Sequence, residues 1–333
     1  MLTEAIPMAA STRATIVKPQ GTAWAYLAMA RLDHSTKHIF IVPGFMLAYL
    51  LRGVHTNQLP VSIALGLITA VCVASANYII NEWLDRNSDK YHPTKSRRSA
   101  VQTRLQRHIV FLAWFAFLLV GLACALATSK TMCFLAGIFA LQGVAYNVPP
   151  LRTKDKAFVD VISESVNNPI RLMIGWAMVD PTTLPPSSII LTCWAGGAFL
   201  MAAKRLSEFR EIVTSRGRAL LERYRISFAG YSAESLTVSC FVYALGSTFF
   251  LAVFLIKYRV EYLLIVPVVI ALFAQYLVLS MEPGSSAQRP EKLFRERSIA
   301  VLVAVLTVVF FVATFVNIPF LQAFVGQRYI SVI

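Results

Sequence analysis

The sequence predicts an all-α membrane protein with nine transmembrane helices. Of its 333 residues, 57% are hydrophobic and only 14% are charged, and the mean hydropathy is +0.62. A soluble domain is about half apolar and about a quarter charged, so this composition excludes an ordinary soluble enzyme, a disordered protein and a fibrous protein. The apolar residues fall in repeated stretches, and most basic residues lie between these stretches.

Nine stretches approach the length of about 20 apolar residues that a helix needs to cross the hydrocarbon core. The first stretch is short, and we expect its helix to begin near Trp24. We expect a tight helical hairpin between the third and fourth, because only Ser129 and Lys130 separate them. The predicted spans are His38–Leu51, Val61–Ile80, His108–Thr128, Thr131–Val148, Phe158–Met178, Ser188–Ala203, Leu236–Ile256, Tyr262–Met281 and Ile299–Val316.

The distribution of charge predicts the orientation in the membrane. The chain has 31 Lys and Arg against 17 Asp and Glu, and most basic residues lie in the N-terminal segment and after the second, fourth, sixth and eighth spans. Because cytoplasmic loops carry the excess of Lys and Arg, we expect a cytoplasmic N-terminus and an outside C-terminus in the cell (inner) membrane. Anionic lipid accounts for this charge, so no nucleic-acid partner is expected. Residues 1–23 are predicted to form a polar cytoplasmic segment, and residues 24–333 a single nine-helix domain.

A polar stripe lies where the second predicted span leaves the membrane. Asn77, Asn81, Asp85 and Asp89 are spaced four residues apart, so a continuing helix presents all four on one face. Mg²⁺ prefers oxygen ligands and commonly binds through one or two carboxylates together with the phosphate oxygens of a substrate. The stripe therefore predicts a Mg²⁺ site, with Mn²⁺ as an alternative ion. The competing interpretation is a solvated helix end.

The stripe resembles the first signature of a known superfamily. The residues Asn81-Glu82-x-x-Asp85-x-x-x-Asp89 are similar to the N-D-x-x-D-x-x-x-D motif of the UbiA superfamily of intramembrane prenyltransferases, with Glu82 in place of an Asp. The resemblance implies a UbiA-like bundle of nine helices. It also implies that Asn81, Glu82, Asp85 and Asp89 contribute to metal binding.

Further segments resemble one branch of that superfamily, the decaprenyl-phosphate phosphoribosyltransferases. That resemblance implies transfer of 5-phosphoribose from phosphoribosyl diphosphate to a polyprenyl phosphate, with release of diphosphate. It places the reaction early in the supply of a lipid-linked arabinose donor, for the cell wall or for arabinosylated nodulation factors. The matching segments are His92-Pro-Thr-Lys95-x-x-Arg98, Tyr146 with Lys154 and Lys156, Val159-Asp160, Ile170-Arg171, Lys204-Arg205-x-x-Glu208, Pro290-Glu291 with Glu296-Arg297, and Lys37 alone from a W-x-K-N motif.

A second polar stripe lies in the fifth span. Asp160 and Glu164 are one helical turn apart, and the paired acidic motifs of the superfamily imply that they form a second metal site facing the first. Arg171 lies within the same span. An Arg at that depth should face the bundle interior and pair with an anion. A substrate anion and an internal salt bridge to Asp160 or Glu164 are both open as that partner.

The chemistry of such a reaction accounts for the many basic residues. Two phosphorylated substrates in one cavity repel each other, so cations must surround them. The acceptor phosphate is already anionic, so we assign no general base. The expected catalytic residues are Asn81, Asp85, Asp89 and Asp160; the expected metal ligands are Asn81, Glu82, Asp85, Asp89, Asp160 and Glu164; the expected substrate-binding residues are Lys37, Asn77, Lys95, Arg98, Tyr146, Lys154, Lys156, Arg171, Lys204, Arg205 and Glu208.

Two other classes of function stay open. An aromatic prenyltransferase of the same fold would use a prenyl diphosphate and a ring acceptor. A transporter would also explain charges within the membrane, although the acidic stripe lies at a helix end rather than at the midplane between broken repeats. The length of the lipid chain, the destination of the sugar and the oligomeric state are open as well.

Overall fold

The computed structural model describes residues 18–32, 35–282 and 296–325. Within these ranges the chain is helical, and its extended contact is an isolated bridge between Gln20 and Arg104. Short 3-10 turns connect several of the helices. The helices are α1 (Ala23–Met29), α2 (Ile41–Arg52), α3 (Leu59–Asp89), α4 (Ser99–Gln102), α5 (Arg107–Thr128), α6 (Lys130–Asn147), α7 (Val159–Ser165), α8 (Asn167–Ala177), α9 (Ser187–Arg216), α10 (Arg218–Tyr224), α11 (Ala233–Tyr258), α12 (Val266–Met281), α13 (Arg297–Phe315) and α14 (Pro319–Val325).

The structure is that of a multi-pass membrane protein. Among the described residues, six helical segments are long and apolar enough to cross a membrane: α3, α5, α9, α11, α13 and the segment Val260–Met281, which contains α12. Large apolar side chains on their outer faces are exposed, among them Phe115, Phe249 and Phe311. Apolar surface of this kind is what contact with lipid requires, since a helix satisfies its own backbone hydrogen bonds there.

The predicted count of nine spans is not confirmed, because three predicted segments are shorter or more polar than a full span. The first contains α2, which has only 12 residues. The expected start near Trp24 does not hold, because α1 ends at Met29 and α2 begins at Ile41. The fourth, α6, has 18 residues and is polar at both ends. The fifth is interrupted at Val166 between α7 and α8.

The hairpin expected between the third and fourth spans is present. Helix α5 ends at Thr128 and α6 begins at Lys130, and the two helices pack together. Ser129 forms the N-cap of α6, and its side chain accepts a hydrogen bond from the Met132 backbone N–H at 3.0 Å. This bond satisfies one of the free N–H groups at the start of the helix.

Two large apolar cores pack the helices together. One is formed by α3, α6 and α8 and includes Val73, Phe139 and Ile174; the other is formed around α9 and α11 and includes Phe199 and Leu236. Helix α3 packs against α5, and α9 packs against α11. The C-terminal half of α9 and the loops after α3 and α6 meet at one end of the bundle. We call this the basic end, because Lys95, Arg98, Lys154 and Lys204 lie there.

Candidate active site

A cavity of about 380 Å³ with many charged side chains in its wall opens at the basic end of the bundle. Its walls come from α3, α6, α7, α8 and α9 and from the loops that follow α3, α6 and α10. Basic side chains outnumber acidic ones around it. The basic residues are Arg31, Lys95, Arg98, Arg152, Lys154, Arg171, Lys204, Arg205, Arg223 and Arg225, and the acidic residues are Asp85, Asp89, Asp155 and Glu164.

The four residues of the α3 stripe line this cavity together, as their four-residue spacing predicts. The Asn77 amide donates to the backbone oxygen of Phe139 at 3.0 Å. The Asn81 amide donates to Asn147 Oδ1 at 2.6 Å and to Asp85 Oδ2 at 3.3 Å. These contacts between α3 and α6 fix the direction in which the stripe faces.

Each carboxylate of the stripe has a cationic partner. Asp85 Oδ1 lies 2.5 Å from Lys154 Nζ and 3.1 Å from Arg152 Nη2. Asp89, which is buried, forms an ion pair with Arg98. Lys154 belongs to the loop after α6, where burial lowers its pKa to about 8 against the opposing charge of Asp85. The carboxylates are thus held in one cavity by charges that a bound phosphate could also use.

Glu82, which the family resemblance implies as a metal ligand, does not line the cavity. Its Oε1 accepts a hydrogen bond from the Ala100 backbone N–H at 3.2 Å, and its Oε2 lies 3.4 Å from Arg31 Nη2. Successive residues of a helix point about 100° apart, so Glu82 cannot share the face of Asn81. Glu82 instead connects α3 to α4.

Asp160 is also absent from the cavity wall, although its partners reach that wall. It is completely buried, and Tyr231 donates to its Oδ1 at 2.5 Å. Ser227, Arg205 and Arg225 each lie 3.2 Å from its Oδ2. The carboxylate is therefore occupied by protein donors.

The expected second metal pair is not brought together at the cavity. Glu164 lines the cavity, whereas Asp160 does not. No group of three or more His, Cys, Asp or Glu side chains suited to a metal is found in the described part of the chain. The α3 stripe is the part of the cavity wall in which carboxylate and amide groups from one helix face lie together.

Arg205 and Arg225 line the cavity with their guanidinium groups anchored from behind. Arg205 donates to Glu208 Oε2 at 2.8 Å as well as to Asp160, and Arg225 donates to the Tyr146 hydroxyl at 2.6 Å. Two buried guanidinium groups next to each other require such anionic and polar partners. Asp160 therefore orders the cations rather than contacting the cavity itself.

A smaller cavity of about 140 Å³ adjoins the first and shares Lys95 and Lys204 with it. Glu208 and His92 line this smaller cavity. Burial and then the neighbouring Lys95 lower the pKa of His92 to about 3, so the imidazole is neutral. Its Nδ1 accepts from the backbone N–H groups of Thr94 and Lys95 at 3.1 and 3.2 Å. His92 thereby shapes the turn that carries Lys95.

The other expected binding residues are divided between the cavity wall and the outside. Lys95, Arg98, Tyr146, Lys154, Arg171, Lys204 and Arg205 line the main cavity. Lys156 is exposed and does not line it. The side chain of Lys37, like Pro290 and Glu291, lies outside the part of the chain that the structure describes.

The sequence reasoning did not single out several residues of the wall. Arg152, Arg223, Arg225 and Asn147 line the cavity, and in the sequence the basic segment after α9 indicates only a cytoplasmic loop. That segment folds back so that Arg225 meets Tyr146, 79 positions earlier in the chain. Only the density of Arg residues there could have indicated a role.

The fold and this cavity define a class of protein: a helical membrane protein whose interior carries amide and carboxylate oxygens and an excess of cations at one end. The model of the UbiA prenyltransferase family matches residues 40–296. The chain therefore belongs to the UbiA prenyltransferase family, whose members are intramembrane enzymes.

Similar proteins of known sequence include farnesyltransferases. The chain is 28% identical over 174 residues to a protoheme IX farnesyltransferase of Geobacillus kaustophilus, covering 50% of this chain and 55% of that protein. It is 23% identical over 191 residues to the protoheme IX farnesyltransferase of Bacillus mycoides, covering 56% and 61%. It is 25% identical over 150 residues to the uncharacterized protein y4nM of Sinorhizobium fredii, covering 45% and 28%. The matched regions span less than two thirds of each relative.

Similar solved structures confirm the fold. A UbiA homolog from Archaeoglobus fulgidus bound to DMAPP and Mg²⁺ has a TM-score of 0.65 at 20% identity, covering 88% of this chain and all of that one. The same homolog bound to GPP and Mg²⁺ has a TM-score of 0.64 at 19% identity, with the same coverage. A structure of digeranylgeranylglyceryl phosphate synthase has a TM-score of 0.57 at 11% identity, covering 87% and 95%.

Proposed function

We propose that this protein transfers 5-phosphoribose from phosphoribosyl diphosphate to a polyprenyl phosphate and releases diphosphate. The observation that carries the proposal is the excess of basic side chains around Asp85 and Asp89 in a single cavity. A prenyl diphosphate with a neutral acceptor brings one diphosphate into such a cavity. The proposed substrate pair brings a diphosphate, a sugar phosphate and a lipid phosphate, and each needs cationic partners.

The α3 stripe fits a divalent cation. Asn81, Asp85 and Asp89 offer amide and carboxylate oxygens, which suit Mg²⁺ or Mn²⁺, and they open into the cavity where substrate phosphates would complete the ligand shell. When bound, the ion would neutralise charge on the diphosphate and stabilise it as a leaving group. The solved homolog bound to Mg²⁺ with DMAPP or GPP supports a diphosphate and a metal in a fold of this kind.

The protein's own cations complete the proposed site. Lys154 and Arg152 lie against Asp85 and are placed to bind the donor diphosphate beside it. Arg205 and Arg225 are held at the cavity wall by Asp160 and are placed to bind a second phosphate group. Arg can bind two phosphate oxygens at once. An oxygen of the acceptor phosphate attacks C1 of the ribose, the C1–O bond to diphosphate breaks, and the diphosphate leaves with the bonding electron pair.

The proposal includes an orientation in which the basic end faces the cytoplasm. The soluble donor is then supplied directly to the cavity mouth, while the lipid acceptor arrives from the bilayer. Positively charged segments are retained on this side of the membrane.

Incubation of membranes containing the protein tests the proposal. The reaction contains Mg²⁺, polyprenyl phosphate and phosphoribosyl diphosphate labelled in the ribose. We expect the label to enter the organic phase, and we expect none to do so with the Asp89→Asn variant. The second candidate function is prenyl transfer, and its support is the similarity of the chain to farnesyltransferases. It is tested in parallel with labelled farnesyl diphosphate and 4-hydroxybenzoate or protoheme IX, and prenyl transfer without ribose transfer would overturn the proposal.

A further inference from the structure

Arg171 is a buried cation that forms no ion pair with a carboxylate among the described residues, and Glu164 in the same cavity wall attracts its charge only from a greater distance. Its side chain is 5% exposed and lines the main cavity. Nη1 donates to the backbone oxygen of Asn167 at 3.3 Å, and the guanidinium carbon lies 5.0 Å from the centre of the Phe139 ring. Its Nε has no hydrogen-bond partner among the described residues. No carboxylate of the described residues forms an ion pair with Arg171, in contrast to the pairs at Arg98, Arg152 and Arg205.

The amides of Asn77 and Asn168 line the same cavity as this guanidinium, and two glycines leave space for them. The Asn77 amide packs against Gly143 and the Asn168 amide packs against Gly197, so that a Cβ on either glycine would overlap the amide. Both Asn side chains line the cavity. We call the set Asn77, Phe139, Asn168 and Arg171 the Arg171 pocket. Its donors converge on the cavity, as the binding of an oxyanion requires.

The Arg171 pocket lies farther from the basic end than Asp85 and Asp89, toward the middle of the bundle. The Asn77 amide binds the backbone of Phe139, whose ring lies next to the guanidinium group. Asn77 precedes Asp85 by two helical turns, which corresponds to about 12 Å along α3. Leu200 and Met201 add apolar lining one turn from Gly197. A charged side chain in such a position is costly unless it meets an anion.

We propose that the Arg171 pocket binds the phosphate of the lipid acceptor. This inference rests on the proposed function and assigns one of its substrates to a place. The soluble donor enters at the basic end, where Lys95, Arg98 and Lys154 surround Asp85 and Asp89. The group that reaches the Arg171 pocket arrives with a lipid chain from the bilayer. The ribose then lies between the two sites, where the acceptor oxygen can attack C1 opposite the departing diphosphate.

Lipid binding by the full-length protein in detergent tests the assignment without catalysis. The ligands are a radiolabelled polyprenyl phosphate and the polyprenol of the same length, so that their affinity ratio measures recognition of the phosphate. We expect wild type to bind the phosphate at least tenfold more tightly than the alcohol. Arg171→Gln should remove most of this ratio and leave alcohol binding unchanged. The matched control is Arg218→Gln, which removes an exposed Arg paired with Glu222 on α10, and it should bind as wild type does.

Four outcomes separate this inference from the proposed function. An unchanged ratio in Arg171→Gln overturns the inference, even if the enzyme still transfers ribose. Weaker binding of phosphoribosyl diphosphate with unchanged lipid binding also overturns it, because the pocket would then serve the donor. If Arg171→Gln does not fold, Asn168→Ala and Arg171→Lys are measured instead, and a wild-type ratio in both overturns it. Absence of ribose transfer by wild type overturns the proposed function alone.

Discussion

Asp85 and Asp89 differ from Asp160 in the space around their carboxylates. The first two line the cavity, whereas Asp160 is enclosed by Tyr231, Ser227 and two guanidinium groups. This contrast indicates different roles for residues that the sequence places in one class. Asp85 and Asp89 are in position to meet a metal or a substrate, and Asp160 is in position to orient Arg205 and Arg225.

Metal dependence distinguishes these roles. We expect Asp85→Asn and Asp89→Asn to lower turnover about a hundredfold or more and to raise the Mg²⁺ concentration needed for half-maximal rate, because they remove negative charge from the ion site. Asp160→Asn should raise the KM of the donor without changing the Mg²⁺ requirement. The measurement is initial rate against Mg²⁺ concentration for each purified variant. Glu222→Gln, an exposed change on α10, is the control, and wild-type turnover in Asp89→Asn would contradict the assignment.

We expect Lys154 to set the pH dependence of the proposed donor binding. Burial lowers the pKa of Lys154 to about 8, although the negative charge of Asp85 acts in the opposite direction. The ammonium group therefore loses its proton as the pH rises through about 8. The cationic form binds phosphate, and we therefore expect kcat/KM for the donor to fall above about pH 8. In Lys154→Arg the fall should move up by at least one pH unit, because guanidinium stays protonated.

The control for this pH profile is the neighbouring Lys156. It is exposed and lies outside the cavity wall, so Lys156→Arg should reproduce the wild-type profile. A profile in Lys154→Arg that matches wild type would show that a different group controls donor binding.

At the scale of helices, glycine positions on α6 set how closely that helix approaches α3. A Cβ at Gly143 would overlap the Asn77 amide, whereas a Cβ at Gly137 on the same helix meets nothing within 4 Å. Both residues occupy helix interiors, where Ala is otherwise favoured over Gly by about 1 kcal/mol. Gly143→Ala and Gly137→Ala therefore have the same effect on helix propensity, but only Gly143→Ala creates a steric overlap.

We expect Gly143→Ala to lower activity at least tenfold and to reduce thermal stability, because it displaces the α3 stripe. Gly137→Ala should preserve activity and leave stability unchanged or slightly higher. Combining Gly143→Ala with Asn77→Ala should cost less stability than the sum of the single changes, since the overlap is then relieved. Thermal unfolding of wild type, Gly143→Ala, Asn77→Ala and the double variant measures this. Additive losses of stability would argue against the contact between Gly143 and Asn77.

At the scale of the whole molecule, the basic end and the opposite end must face different compartments. We expect Arg97→Cys, at an exposed position near α4, to resist an impermeant maleimide in intact cells and to react after lysis. Leu184→Cys, exposed in the loop between α8 and α9, should react in intact cells. Both changes are made in a cysteine-free background, since the chain has five cysteines. Labelling of Arg97→Cys in intact cells would show that the basic end faces outward. The cavity would then be inaccessible to a cytoplasmic donor.

The sequence by itself determined the properties that depend on local spacing and composition. The apolar content indicated a helical membrane protein, and the four-residue interval placed Asn77, Asn81, Asp85 and Asp89 on one face of α3. A helix repeats every 3.6 residues wherever it packs, so such relations survive folding. The hairpin was also predictable from local spacing, because only Ser129 and Lys130 separate two long apolar segments.

Only the tertiary structure decided which charged residues share the cavity. Glu82 pairs with Arg31 across 51 positions, and Asp160 meets Tyr231 across 71. These partners occupy the carboxylates that the family resemblance implied as metal ligands. The same packing places Arg171 at the cavity wall without an ion pair to a carboxylate among the described residues. Burial and pairing depend on which distant segments meet, and no local spacing encodes that choice.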